Sequence, residues 1–313
     1  MRHRWQRTLP AILPPPDEAA RLVRPVVPAA RILACTGLAG GLANSNVRID
    51  IAGHAPLVLR FYQRDPSAGP REAAIASLIP VCPRVLHVGL DGRYGPYAVT
   101  GWVDGQRLDS LPLDRQAALA GSLGRTLAGI HAHRFSIAGF FGPDLAIATT
   151  LVGGGEGLIG YLRHCLVDGR GGARLGAELT ASLLACADRR AGSLDRWDGP
   201  PVLSHGDFNG SNILVGSRGD LTVLDWEFAF AGSPFFDFGN ILRPPWGDLP
   251  GVAAAIAGGY RDAGGRLPDD WQALSRLVDL LSWADFLNRP VADAALVADA
   301  RMMIVRALRS FPA

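Results

Sequence analysis

The chain has 313 residues, 48% of them hydrophobic and 19% charged, which is enough apolar material for a sizeable core in one large domain or two lobes. A formal net charge of only +2, with arginines spread along the whole chain, leaves no electrostatic footprint for nucleic acid or an anionic membrane. Cys35, Cys82, Cys165 and Cys186 have no paired spacing, so neither a zinc site nor a disulfide framework is indicated, and a cytoplasmic setting is expected.

The basic N-terminus carries a short apolar stretch that Pro10 and prolines 14–16 interrupt before it reaches the length of an export signal. Residues 31–34, 47–52 and 57–62 are short Val, Ile and Leu runs separated by Gly and Pro, as in an antiparallel sheet. A helix is predicted over 71–79, ending at Pro80, and strands resume at 85–88 and 97–103 with a turn at Asp91-Gly92 between them. From Leu113 the period changes. Helical spacing governs 115–131, 178–191, 252–260 and 271–287, while 202–203, 212–215 and 221–224 read as short strands around polar turns. No apolar run approaches the ~20 residues of a membrane span. The expectation is an α+β fold with a small mixed lobe over 1–103 and a larger, mainly helical lobe over 104–313.

Chemistry concentrates between two of those short strands, in His205-Gly206-Asp207-Phe208-Asn209-Gly210-Ser211-Asn212, followed by Asp225 thirteen residues after Asn212. Phosphoryl transfer needs a carboxylate to orient a hydroxyl and accept its proton, and oxygen ligands for Mg²⁺ on a triphosphate. Asp207 suits the first role and Asn212 with Asp225 the second. Taken singly, an Asp or Asn in a loop usually caps a turn, and it is the joint spacing that argues for function.

The segment resembles the H-G-D-x-x-x-x-N catalytic loop of aminoglycoside phosphotransferases and related small-molecule kinases, which are similar in fold to protein kinases. The interval from Asp207 to Asn212 also matches the H-R-D-x-x-x-x-N loop of protein kinases. Asp225-Trp226-Glu227 resembles the family's metal-binding Asp on the next hairpin. The resemblance implies a bilobal protein-kinase-like fold, with ATP or GTP as phosphoryl donor, Mg²⁺ as cofactor and a small-molecule hydroxyl as acceptor. It further implies a glycine-rich nucleotide loop over 37–46, with Gly40, Gly41 and Asn44 at the phosphates. Arg60 stands where the family places a phosphate-binding Lys, with Glu72 as its partner; the chain has no Lys anywhere, and a guanidinium can bind phosphate bidentately. Gly101 and Val103 fall where family members hold adenine through the backbone.

Other residues favour a structural reading. His205 is expected to brace the loop by hydrogen bonds. Asp237 matches a family Asp that braces the catalytic loop, and is expected to cap a helix. His131 and His133 are expected to pack rather than bind metal. Glu227 could face the metal or the substrate, since alternate strand residues share a face. After Leu242 eight Asp are matched by eight Arg, which argues against a polycationic acceptor. Trp246, Trp271, Trp283 and Phe286 could line an acceptor pocket, although such aromatics are more often core. The alternative function is a nucleotide-binding regulatory protein without useful catalysis, for which Arg60 is the best support. A protein kinase is disfavoured by Gly206 in place of Arg and by the absence of an Ala-Pro-Glu element after Asp225.

Overall fold

The computed structural model describes residues 7, 9–38 and 44–311. After α1 (Pro16–Val23) come five antiparallel strands: β1 (Ile32–Gly37), β2 (Ser45–Ile51), β3 (Leu57–Phe61), β4 (Val85–Asp91) and β5 (Gly95–Gly101). They form one sheet in the order β1, β2, β3, β5, β4. Alternation along β2 and β3 sends Val47, Ile49, Leu57, Leu59 and Phe61 to one face, where α1 covers them with Ala19, Leu22 and Val23. The proline run opens α1 rather than merely breaking the chain, because Pro16 is at a first-turn position whose N–H has no helical partner to lose.

The same period of two turns Arg60 to the opposite face, toward α2 (Ala68–Leu78). This helix starts three residues before the expected 71–79 span, since Gly69 and Pro70 lie in its first turn, where a missing N–H costs nothing. It stops at Ile79, ahead of Pro80, as expected.

Beyond β5 the chain runs through β6 (Gln106–Arg107), α3 (Leu113–Ala118), α4 (Ala120–His131), the hairpin β7 (Gly139–Phe141) and β8 (Ile147–Thr150), α5 (Gly154–Arg163), α6 (Gly171–Leu175) and α7 (Ala177–Arg190). Four short strands follow: β9 (Val202–Ser204), β10 (Ile213–Val215), β11 (Leu221–Val223) and β12 (Phe230–Gly232). The helices α8 (Phe235–Ile241), α9 (Val252–Asp262), α10 (Trp271–Asn288) and α11 (Ala294–Ser310) complete the described chain. The helix expected over 115–131 is two helices that break at Leu119. A single core cluster joins these helices and includes Ile75 and Ile79, so α2 also packs into the helical part. Helices α4 and α9 cross at backbone contact: a Cβ on Gly124 would lie 2.0 Å from the Ile256 carbonyl oxygen. Two small sheets frame the polar loops, one in the order β11, β10, β6 and the other β8, β7, β12, β9. Among the described residues no helix is long and apolar enough to cross a membrane.

Candidate active site

Strand β9 ends at Ser204, and the chain then turns sharply at Gly206, whose φ is +78°. A side chain is excluded there twice over, since a Cβ would lie 2.3 Å from the Phe228 carbonyl oxygen. The loop is fixed from beneath by Asp237, which has no exposed surface. Its carboxylate accepts from the backbone N–H of His205 at 2.7 Å and of Gly206 at 2.9 Å. This corrects the capping role expected for Asp237: it stands in the first turn of α8, yet no side chain caps that helix. His131 is bound into the same brace, with Nε2 3.1 Å from Asp237 and Nδ1 3.0 Å from the Tyr260 hydroxyl. His205 is buried as well and links two segments: Nδ1 accepts from the Asp207 N–H at 3.1 Å, and Nε2 donates to the Leu224 carbonyl at 2.9 Å.

Those bonds place Asp207. Its carboxylate accepts from Asn209 Nδ2 at 2.9 Å and from Asn212 Nδ2 at 3.0 Å. Both amides also donate to the Asp207 carbonyl, so the side chain is held by two clamps within its own loop. Asn209 was not singled out in the sequence, although an Asn two residues after an Asp is an ordinary signal for such a turn. With Nδ2 of Asn212 spent on Asp207, its Oδ1 is the atom suited to a cation. Asn212 and Asp225 are brought together by the β10 and β11 hairpin, where the Leu224 N–H donates to the Asn212 carbonyl at 2.8 Å. Asp225 follows in a left-handed conformation, φ 65° and ψ 65°, which costs a residue with a side chain about 1 kcal/mol or more and is characteristic of functional positions.

From the sheet side, Arg60 reaches the same place. Its Nη2 donates to Glu72 Oε1 at 2.9 Å and also pairs with Asp225. Burial alone would lower the Arg60 pKa, yet the carboxylates of Asp225 and Glu72 raise it well above the usual value. Glu72 is shifted upward chiefly by burial, against the pull of Arg60, and its Oε2 accepts from the Tyr62 hydroxyl at 2.8 Å. Arg60 Nε is buried without a hydrogen-bond partner. Asn44 is nearly buried, at 4% exposure, and donates to Glu227 Oε2 at 2.9 Å. Burial and the neighbouring Asp225 push the Glu227 carboxyl up to about 7.

Asn44, Arg60, Asp207, Asn212, Asp225 and Glu227 line one cavity of roughly 2300 Å³. Glu72 is behind Arg60. Gly101 and Val103 do not line the cavity; they are at the end of β5, where the Gly101 N–H donates to the Arg84 carbonyl. Gly40 and Gly41 lie outside the described residues. The oxygen donors of Asn212 and Asp225 suit a small hard cation that keeps water and phosphate oxygens as its other ligands. Among the described residues no cluster of three or more His, Cys, Asp or Glu could hold a metal alone.

The cavity has an aromatic flank that the sequence did not single out. Phe230 on β12 is opposite Ser204 of β9 on one side and Phe140 of β7 on the other. The Phe140 and Phe230 rings are 6.0 Å apart, and the Phe230 and Phe236 rings 5.2 Å. No local pattern reveals a strip assembled from three distant segments. Trp246, Trp283 and Phe286 reach the wall although they are almost wholly buried, whereas Trp271 is core alone.

Residues 34–277 match the phosphotransferase enzyme family. No curated protein matches the chain in sequence. Among solved structures, the aminoglycoside phosphotransferase APH(4)-Ia is similar at 17% identity and a TM-score of 0.70, over 95% of this chain and 99% of that one. A thermostable variant of that enzyme has been solved with ADP and hygromycin B. A choline/ethanolamine kinase family protein from Mesorhizobium loti is similar at 19% identity and a TM-score of 0.65, over 95% of each chain. The macrolide 2'-phosphotransferase MphH from Brachybacterium faecium is similar at 18% identity and a TM-score of 0.62, over 95% of this chain and 99% of that one. The chain therefore belongs to the phosphotransferase enzyme family and has the bilobal, protein-kinase-like fold of its small-molecule kinases.

Proposed function

We propose that the chain transfers the γ-phosphoryl group of ATP or GTP to a hydroxyl of a small organic molecule, with residues 1–103 as the nucleotide lobe and 104–313 as the catalytic and acceptor lobe. The observation that carries this reading is the Asp207 carboxylate, clamped by Asn209 and Asn212 in the same cavity as Asp225 and Arg60. In this reading Asp207 orients the acceptor hydroxyl and takes its proton as the oxygen bonds to the γ-phosphorus and the bond to the leaving nucleoside diphosphate breaks. Arg60, kept charged and aimed by Glu72, meets the phosphates, together with the glycine-rich segment at Gly40, Gly41 and Asn44. The family resemblance assigns the base to the backbone near Gly101 and Val103, although neither lines the cavity and the Gly101 N–H is taken by the Arg84 carbonyl. Asn212 and Asp225 would hold Mg²⁺, which when bound neutralises charge on the phosphate oxygens. The free cysteines support a cytoplasmic setting.

The acceptor end favours a compound with an apolar ring face. Phe140, half exposed, and Phe230 supply flat surface beside the catalytic loop. The cations there are engaged: Arg243 pairs with Asp279 at 2.5 Å and lies over Trp283, and Arg289 lies over Phe286. A regulatory role without transfer draws no support from membership of an enzyme family or from an intact Asp207, Asn212 and Asp225. The test is an acceptor screen, read by mass spectrometry as the gain of one phosphate, run with ATP and with GTP. A panel of ring-bearing alcohols is expected to yield a phosphorylated product. No product from any hydroxyl compound, with nucleotide consumption unaffected by all of them, would refute the proposal.

A further inference from the structure

Three contacts from the first lobe converge on the short turn Trp226–Phe228, immediately after Asp225. Asn44 Nδ2 donates to Glu227 Oε2 at 2.9 Å, Arg71 of α2 donates to the Glu227 carbonyl at 3.1 Å, and the Arg64 guanidinium lies 4.3 Å from the centre of the Phe228 ring. Asn44 is itself a fixed node. Its Oδ1 accepts from the backbone N–H of Gln63 at 3.0 Å and of Arg64 at 3.3 Å, just past β3. The glycine-rich stretch is also tied at its base, where the Leu38 N–H donates to the Asn46 carbonyl at 2.8 Å. Both polar atoms of the Asn44 amide are thus engaged in a nearly buried position, one on the strand and one on the carboxylate beside the proposed metal ligand.

We propose that Glu227 is a positioning residue for the nucleotide: its carboxylate anchors Asn44, and through it the flank of the glycine-rich segment, to the Asp225 turn. This rests on the phosphotransferase reading above and assigns Glu227 a role in holding the protein rather than the cation. The bond is part-buried in the cavity wall and ties two segments far apart in the chain, so losing it weakens the nucleotide site while leaving Asp207 in place. Nucleotide affinity, not the transfer step, depends on the pair.

The test measures MgATP affinity by calorimetry and steady-state turnover for the full chain and three variants. Glu227→Ala is expected to weaken MgATP binding by about tenfold, with turnover at saturation changed by less than about threefold. Asn44→Asp keeps the oxygen that Gln63 and Arg64 use but sets a carboxylate against Glu227, and should weaken binding at least as much. Combining Asn44→Asp with Glu227→Gln exchanges donor and acceptor and should recover most of the affinity, with the Mg²⁺ requirement unmoved. A cation ligand at 227 would behave otherwise: the double variant would stay as weak as Asn44→Asp alone and the Mg²⁺ requirement would shift, overturning the proposal. Absence of MgATP binding by the unmodified chain would overturn the nucleotide reading itself and the anchor with it.

Discussion

Replacing Asp237 by Asn removes one charge and one acceptor from beneath the loop that carries Asp207 while keeping the side chain's shape. Asp237 has no exposed surface and accepts from two backbone N–H groups, at 2.7 and 2.9 Å. An amide has a single acceptor oxygen, so one N–H would face an NH₂ group and the other would bond a neutral oxygen instead of a carboxylate. Each buried donor left without a partner costs about 1–3 kcal/mol, and the two losses together come to about 2–5 kcal/mol. That is within the stability of an ordinary domain, so the variant should still fold. The loop it loosens carries Asp207 one residue beyond Gly206, and a misplacement of about 1 Å at a reacting group costs on the order of 10²-fold in rate. Urea denaturation followed by tryptophan fluorescence reads the first effect, and product formation at saturating nucleotide the second. A stability loss below about 0.5 kcal/mol with unchanged turnover would refute the bracing role.

Asp225→Ala should weaken nucleotide binding in the presence of Mg²⁺ but not in its absence; equal effects in both would count against a metal role. Arg60→Lys should cost less than about threefold in turnover, because one nitrogen, Nη2, makes both carboxylate contacts and Nε has no partner to lose. A loss above about thirtyfold would show that the guanidinium fork is used on the phosphates. Asp91 tests the packing of α1 on the sheet: the hydrogen bond from Arg21, with the backbone N–H groups of Arg93 and Tyr94, holds its carboxyl at about 2. Against an unfolded value near 3.9, a carboxyl lowered on folding contributes stability above that pH and loses it as pH falls toward about 2. The stability gap between the unmodified chain and Asp91→Asn should therefore shrink across that window in urea melts at stepped pH, and a gap independent of pH would contradict the assignment.

The parts of the site legible in the sequence are those whose geometry is set by short spacing. His205 to Asn212 forms one loop, and its clamp on Asp207 spans only two to five residues. Arg60 and Glu72 were legible only through the family resemblance, and strand alternation, which turns Arg60 toward α2, is the physical reason the pair forms. For Asp237 the resemblance gave the loop brace that His205 and Gly206 complete, whereas the capping role read from its local position failed because those partners are about thirty residues away. The Phe140, Phe230 and Phe236 strip had no local signature, since it depends on the pairing of β7 with β12. The start of α1 at Pro16 and of α2 ahead of Pro70 had no signal in the apolar spacing, since a proline in the first turn of a helix opens the element that it would break elsewhere.

In the proposed reaction Asp207 serves the transfer step and not the binding of nucleotide. One coupled assay of nucleoside diphosphate release on the unmodified chain and Asp207→Asn, beside calorimetric MgATP affinity, separates the two roles. Asp207→Asn should lose nearly all turnover, on the order of 10²-fold or more, with affinity changed by less than about threefold. Unchanged turnover in Asp207→Asn would contradict the transfer role.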